Sequence, residues 1–131
     1  MAASTLISLD GLFAICRLAA ETPLPAWTAG GPAGSFVSIT RTAEELSIVC
    51  RQELVPEDIR CERGWRVLRV AGTLDFTLVG VLAALLVPMA DADVAVFVLS
   101  TFDTDYLLVK GDRLDAAVEV LRRQGHSVES A

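Results

Sequence analysis

The sequence predicts an α+β fold: a β-α-β-β-α-β unit preceded by a shortened, worn copy of the same plan. Three observations carry this. After residue 60, apolar strand runs alternate with two helix-spaced segments; strand pairs recur at a near-fixed spacing; and the earlier copy lacks the length that a helix would need.

The first half reads as strands and loops. LISL and LFAICRL are strand runs, AETPLPAWTAGGPAGS is rich in turn residues, and FVSIT and LSIVCR are strands again. Residues 52–64, QELVPEDIRCERG, form a linker with one helical turn at 56–59.

The second half is more regular. In WRVLRVAG, Arg66 and Arg69 alternate with Val67, Leu68 and Val70, giving a strand that ends at Gly72. TLVGVLAALLVPMA sets Leu78, Val81, Leu82, Leu85 and Met89 at helical spacing behind an N-cap at Thr77, and Pro88 is expected to bend that helix or end it early. DVAVFVLS, residues 93–100, is a nearly all-apolar strand, followed by DYLLVK as the next. DRLDAAVEVLRRQG is an amphipathic helix with Asp112 as N-cap, Leu114, Ala117, Val118 and Leu121 facing inward, and Gly125 just past its end. HSV makes a short last strand. This order is the ferredoxin-like split βαβ arrangement, with antiparallel sheets.

The halves match each other. VSITRTAEELSIVC superposes on FVLSTFDTDYLLVK at an offset of 60, and GLFAICRLA on GWRVLRVAG at an offset of 53. The first copy therefore has about seven fewer residues between its first two strands, where the second has its helix. The expected boundary puts a degenerate half in residues 1–60 and a complete domain in 61–131.

Composition limits the function. The chain has 131 residues, 53% hydrophobic and 21% charged, enough for a real core and a buried subunit interface. Net charge is −6, divided evenly as −3 for residues 1–60 and −3 for 61–131, so nucleic acid and anionic membranes are poor partners. The apolar uncharged stretch at residues 76–90 is 15 residues long and contains a proline, too short to span a bilayer. The start, MAASTLISLDG, lacks the basic region of a signal peptide. Cys16, Cys50 and Cys61 form no CxxC, so they are expected to be reduced, buried thiols in a cytoplasmic protein. Trp27 and Trp65 are read as packing residues. Ser100, Asp105 and His126 can be combined into a triad on paper, but no G-x-S-x-G elbow, P-loop or Rossmann glycine pattern accompanies them. Neither a catalytic centre, a metal site nor a cofactor is expected.

The polarity that calls for explanation lies in LSTFDTDYLLVK, where Ser100, Thr101, Asp103, Thr104 and Asp105 separate two apolar strands. On the residues alone two readings stay open. The aspartates cap backbone amides of a solvated hairpin, or they hold the cationic end of a ligand at a strand terminus. A second candidate is the stretch from Gly72 to the helix start, where free amides favour an anion.

The run GTLDFTLVGVLAALLVPMADADVAVFVLSTFDTDYLLVK, with RLDAAVEVLRRQGHSV after it, resembles the ACT domain. With SITRTAEELSIVC as a degenerate first half, nearly the whole chain resembles the bacterial tandem-ACT proteins related to the eukaryotic CASTOR arginine sensors. The resemblance implies βαββαβ modules that pair with further copies and bind small ligands, usually amino acids, where copies meet. In that family the loop after the first strand supplies ligand groups, which here falls on Gly72, Thr73, Leu74, Asp75 and Phe76. A Thr-Phe-x-x-Asp pattern on the second hairpin falls on Thr101, Phe102 and Asp105, with Ser100 and Asp103 adjoining. ADADV departs from the family by placing Asp91 and Asp93 where glycine is common, a turn that aspartate tolerates. The shortened first half implies that a homodimer completes the site. The resulting expectation is a non-catalytic, regulatory amino-acid-binding module acting at an inter-repeat or dimer interface. The alternative is a purely structural interaction module.

Overall fold

Among residues 3–72 and 79–131, which the computed structural model describes, the apolar runs form eight strands and two α-helices. The strands are β1 (Thr5–Ser8), β2 (Phe13–Leu18), β3 (Ser38–Arg41), β4 (Leu46–Arg51), β5 (Cys61–Val70), β6 (Phe97–Ser100), β7 (Asp105–Lys110) and β8 (Ser127–Ser130). The helices are α1 (Val81–Asp91) and α2 (Leu114–Arg123). The chain divides into two units, residues 11–65, and residues 1–10 together with 66–131. β5 supplies residues 61–65 to the former and 66–70 to the latter.

The unit of residues 11–65 orders its strands β3-β4-β2-β5, each pair antiparallel. Period-two alternation turns Leu46, Ile48 and Cys50 of β4 to one face, where they join Ala14, Cys16 and Val55 in a core. Short 3-10 turns, Ala26–Ala29 and Gln52–Leu54, stand where a βαββαβ plan has helices. Pro23, Pro25, Gly30, Gly31 and Pro32 leave no room for a longer helix around the first.

In the other unit the order is β6-β7-β5-β1-β8. β1 lies antiparallel to β5, with Leu6 opposite Val70 and Ser8 opposite Leu68. It lies parallel to β8, with Leu6 opposite Val128. The parallel pairing arises because an extra strand from the chain's start is inserted between β5 and β8. Leu85 and Met89 of α1, with Ala117, Val120 and Leu121 of α2, meet Leu6, Leu68, Val70, Leu107 and Val109 of the sheet. Each buried Leu, Val or Met among these contributes about 1.5–3 kcal/mol.

Both helices end in the same way. After α1, the Asp93 amide donates to Ala90 and the Val94 amide to Met89. After α2, the Gly125 amide donates to Arg122 and the His126 amide to Leu121. These are Schellman closures, and they require a left-handed residue, here Gly125 (φ 91°) and Asp93 (φ 65°). Val94 buries against the α1 core as the motif's hydrophobic contact.

Several local expectations shift. β5 starts at Cys61, so the linker is shorter than 52–64. α1 runs three residues past Pro88, because a proline removes only one intrahelical bond while Met89 and the closing turn anchor the end. β6 begins only at Phe97, since Asp93 and Val94 belong to the helix closure. Asp112 makes no capping bond to α2, which continues from a 3-10 turn at Gly111–Arg113. Val120 takes the core position expected of Val118. The proposed cap Thr77 and the helix position Leu78 lie outside the described residues.

The internal repeat is displaced by one. Ser38–Arg41 corresponds to Phe97–Ser100 and Leu46–Arg51 to Asp105–Lys110, an offset of 59 and not 60. The end rungs Arg41–Leu46 and Ser100–Asp105 coincide at this offset, as do the 3-10 turns starting at Gln52 and Gly111. Hairpin register is set by hydrogen bonding at the turn, which an alignment of apolar runs does not see.

Candidate functional site

The β6–β7 hairpin brings most of the predicted residues together. Leu99 pairs with Tyr106 and Ser100 with Asp105, leaving residues 101–104 as the turn. The Thr101 amide donates to the Thr104 carbonyl at 2.9 Å, and the Thr104 amide donates to the Thr101 hydroxyl at 3.4 Å. A threonine side chain thus takes the place of a backbone acceptor in closing the turn. Thr42 does the same in the first copy, where its hydroxyl accepts the Glu45 amide at 3.1 Å. Polarity at this link is a property of the repeat.

Ser100 and Asp105 are what the second copy adds. The Ser100 hydroxyl donates to Asp105 Oδ1 at 2.5 Å, within the range of a charge-assisted O–H···O⁻ bond. Their counterparts in the first copy are Arg41 and Leu46, and Leu46 is fully buried. Ser100 is exposed and Asp105 half-buried, so the carboxylate sits at the rim of the sheet. Asp105 shares a face with Leu107 and Val109, whereas Asp103 stands in the turn. Phe102 at the tip is 78% exposed.

Thr104 connects the hairpin to β5. It is 5% exposed, and its hydroxyl donates to the Val70 carbonyl at 2.7 Å. The bond sets the turn beside the end of β5, two residues before Gly72, which takes φ 84°. Thr104 was not among the predicted site residues; its signal is a β-branched hydroxyl residue between two aspartates in a turn. Thr73, Leu74, Asp75 and Phe76, expected to complete the site after Gly72, lie outside the described residues.

A carboxylate with a serine hydroxyl and exposed backbone at a strand end can accept an ammonium or guanidinium group. His126 is not near-neighbour chemistry for this pair. It is buried, its Nδ1 accepts the Ser4 amide at 3.0 Å, and so the imidazole is held by the β1 end of the fold. Among the described residues, no group of three His, Cys, Asp or Glu side chains is arranged for a metal ion, and no helix is long and apolar enough to cross a membrane.

The sequence profile of the ACT domain matches residues 60–123, and a separate profile described as an N-terminal domain matches residues 11–58. Residues 60–123 belong to the ACT-domain family. This ACT segment covers the hairpin, both helices and all of β5. A curated relative, cytosolic arginine sensor for mTORC1 subunit 1 of Bos taurus, is 32% identical over 106 residues. That match takes in 72% of this chain and 32% of the relative, so the chain spans about a third of the length of that relative. A crystal structure of a protein from Agobacterium tumefaciens is 37% identical with a TM-score of 0.92, covering 100% of this chain and 96% of that one. The regulatory subunit of aspartate kinase from Thermus thermophilus shares the fold at 11% identity and a TM-score of 0.57, covering 88% of this chain and 93% of that one.

Proposed function

We propose that the chain is a non-catalytic regulatory module that binds a small amino acid at the β6–β7 hairpin beside the end of β5, with a second copy of the chain closing the site. One observation carries the reading: the Ser100–Asp105 rung places a carboxylate at the rim of the second copy, where the first copy has a buried leucine. The carboxylate holds the α-ammonium or a side-chain cation, and the stretch after β5 that the ACT resemblance singles out, Gly72, Thr73, Leu74, Asp75 and Phe76, is proposed to receive the ligand carboxylate. Ligand contact with both copies favours one arrangement of the pair, which is how binding becomes a signal. The name of the arginine-sensing relative supports a cationic amino acid as the first probe.

A second reading is a structural interaction module without ligand. It is favoured by the hydroxyls of Thr101 and Ser100, both of which already serve bonds within the hairpin. Calorimetric titration with each of the twenty amino acids, with molar mass followed by light scattering, separates the two. The proposal expects saturable binding of one amino acid by a dimer. A folded dimer that binds none of them sinks it and leaves the structural module.

A further inference from the structure

The three cysteines come from three adjacent strands of one unit. Cys16 lies on β2, Cys50 on β4, and Cys61 opens β5. Cys16 is directly opposite Cys61 in the antiparallel β2–β5 pairing. On the next rung the Arg17 amide donates to the Arg60 carbonyl at 3.0 Å, so the Cys16–Cys61 rung is one without backbone hydrogen bonds between its residues. Rungs of this kind hold their Cα atoms about 4.5 Å apart, inside the roughly 4.4–6.8 Å that a disulfide spans. Their side chains leave the same face, and Cys61 packs against the buried cluster that contains Cys16.

Cys50 belongs to the same cluster but is placed differently. β4 sets Ile48 opposite Cys16 and Cys50 opposite Ala14, so Cys50 is diagonal to Cys16. Diagonal partners stand about 7–8 Å apart, beyond the reach of a disulfide without backbone movement. The trio is not arranged to hold a metal ion. Access also differs: Cys50 is fully buried, Cys16 is 2% exposed, and Cys61 is partly exposed. One thiol can meet a small oxidant, and one buried thiol stands across the rung from it.

We propose that Cys16 and Cys61 form an oxidisable thiol pair, a modification site at which hydrogen peroxide oxidises Cys61 and Cys16 resolves it as a cross-strand disulfide. In the first step the Cys61 thiolate attacks one peroxide oxygen, the O–O bond breaks, and the departing hydroxide takes the thiol proton and leaves as water. Cys61 is then a sulfenic acid. In the second, Cys16 loses its proton and its sulfur attacks the Cys61 sulfur. The S–O bond breaks, and hydroxide leaves with that proton as a second water. Two thiols have lost two electrons and two protons, and one peroxide has become two waters. Burial raises the Cys61 thiol above its ordinary range while the Arg63 guanidinium opposes the rise, so the reaction quickens as pH increases.

The test uses the full chain, treated with hydrogen peroxide, alkylated without reduction, digested and read by mass spectrometry. The expected product is a monomer lighter by two hydrogens, with the Cys16 and Cys61 peptides linked and Cys50 alkylated after unfolding. The link persists in Cys50→Ala and disappears in Cys61→Ala, and the oxidised chain melts at a higher temperature than the reduced one. Mapping the unmutated chain keeps the test independent of how well the variants fold. A Cys16–Cys50 link overturns the proposal. So does a link between two chains, sulfinic acid on Cys61 without a link, or three free thiols at a peroxide dose that oxidises the same chain in urea.

Discussion

Thr104 and Val70 are joined by a buried hydroxyl-to-carbonyl bond of 2.7 Å that crosses from the β6–β7 turn to the end of β5. Through it, the register of a four-residue turn is fixed relative to the strand from which the ACT loop departs. Replacing Thr104 with Val leaves the Val70 carbonyl without that donor, and a loss of about 1–3 kcal/mol in urea unfolding is expected. Thr104→Ser keeps the hydroxyl and most of the stability. Equal unfolding midpoints for Thr104→Val and the parent would show that the bond does not order the turn.

Asp105 separates binding from folding. Asp105→Ala removes the carboxylate that Ser100 contacts, and any thermal upshift produced by arginine or another amino acid should vanish. The unliganded protein should lose no more than about 1 kcal/mol, because the pair sits at the solvent-facing rim. Asp105→Asn keeps the shape and removes the charge, so it should behave like the alanine variant toward a cationic ligand. An unchanged ligand-induced shift in both variants would move the site elsewhere.

Asp93 occupies a left-handed position at φ 65° in the closure of α1. Asp93→Gly relieves the contact between Cβ and backbone, less the extra freedom glycine gains in the unfolded chain, for an expected gain of up to about 1 kcal/mol. Gly125→Ala, at the equivalent place after α2, should cost about 1 kcal/mol or more. Opposite signs in thermal unfolding are the prediction, and equal signs would contradict the shared closure.

The carboxyl of Glu53 is held below its ordinary value, first by the hydrogen bond from Arg51 at 2.7 Å. A lowered folded-state pKa stabilises the fold fully above the unfolded value of about 4.5, and the contribution is lost as pH falls through the lower folded value. Glu53 is largely exposed, so the effect is small and screened by salt. Glu53→Gln should lower the melting temperature slightly at pH 7 and not at all in strong acid, where the parent's carboxyl is also protonated. A difference that persists in strong acid would point to packing instead.

Much of this was legible in the residues because periodicity is a local signal. LSIVCR and DYLLVK coincide with β4 and β7, and the LDAAVEVLRR stretch declares α2 by its apolar face. What escaped was set by partners distant in sequence. An apolar alignment chose an offset of 60, while hydrogen bonding of Thr42 and Thr101 in their turns set it at 59. That single step moves Leu46, and not Glu45, onto the position of Asp105. Likewise LISL reads as a strand of the first half, but its partners are Leu68 to Val70 and Ser127 to Ser130. HSV reads as a short last strand, but the Ser4 amide could be seen as the partner of His126 only once the chain's start was placed in the sheet.

The insertion of β1 between β5 and β8 means that the ACT segment is not a detachable cassette. A fragment starting at residue 61 would carry an empty slot through the middle of its sheet, with edges of β5 and β8 exposed to self-association. Such a fragment is a natural acceptor for split-protein complementation. A peptide of residues 3–10 supplied in trans has the Leu6 side chain for the core and the backbone of Thr5 to Ser8 for both edges. The eight residues at the chain's start thus act as a key to the folding of a domain whose own sequence begins more than fifty residues later.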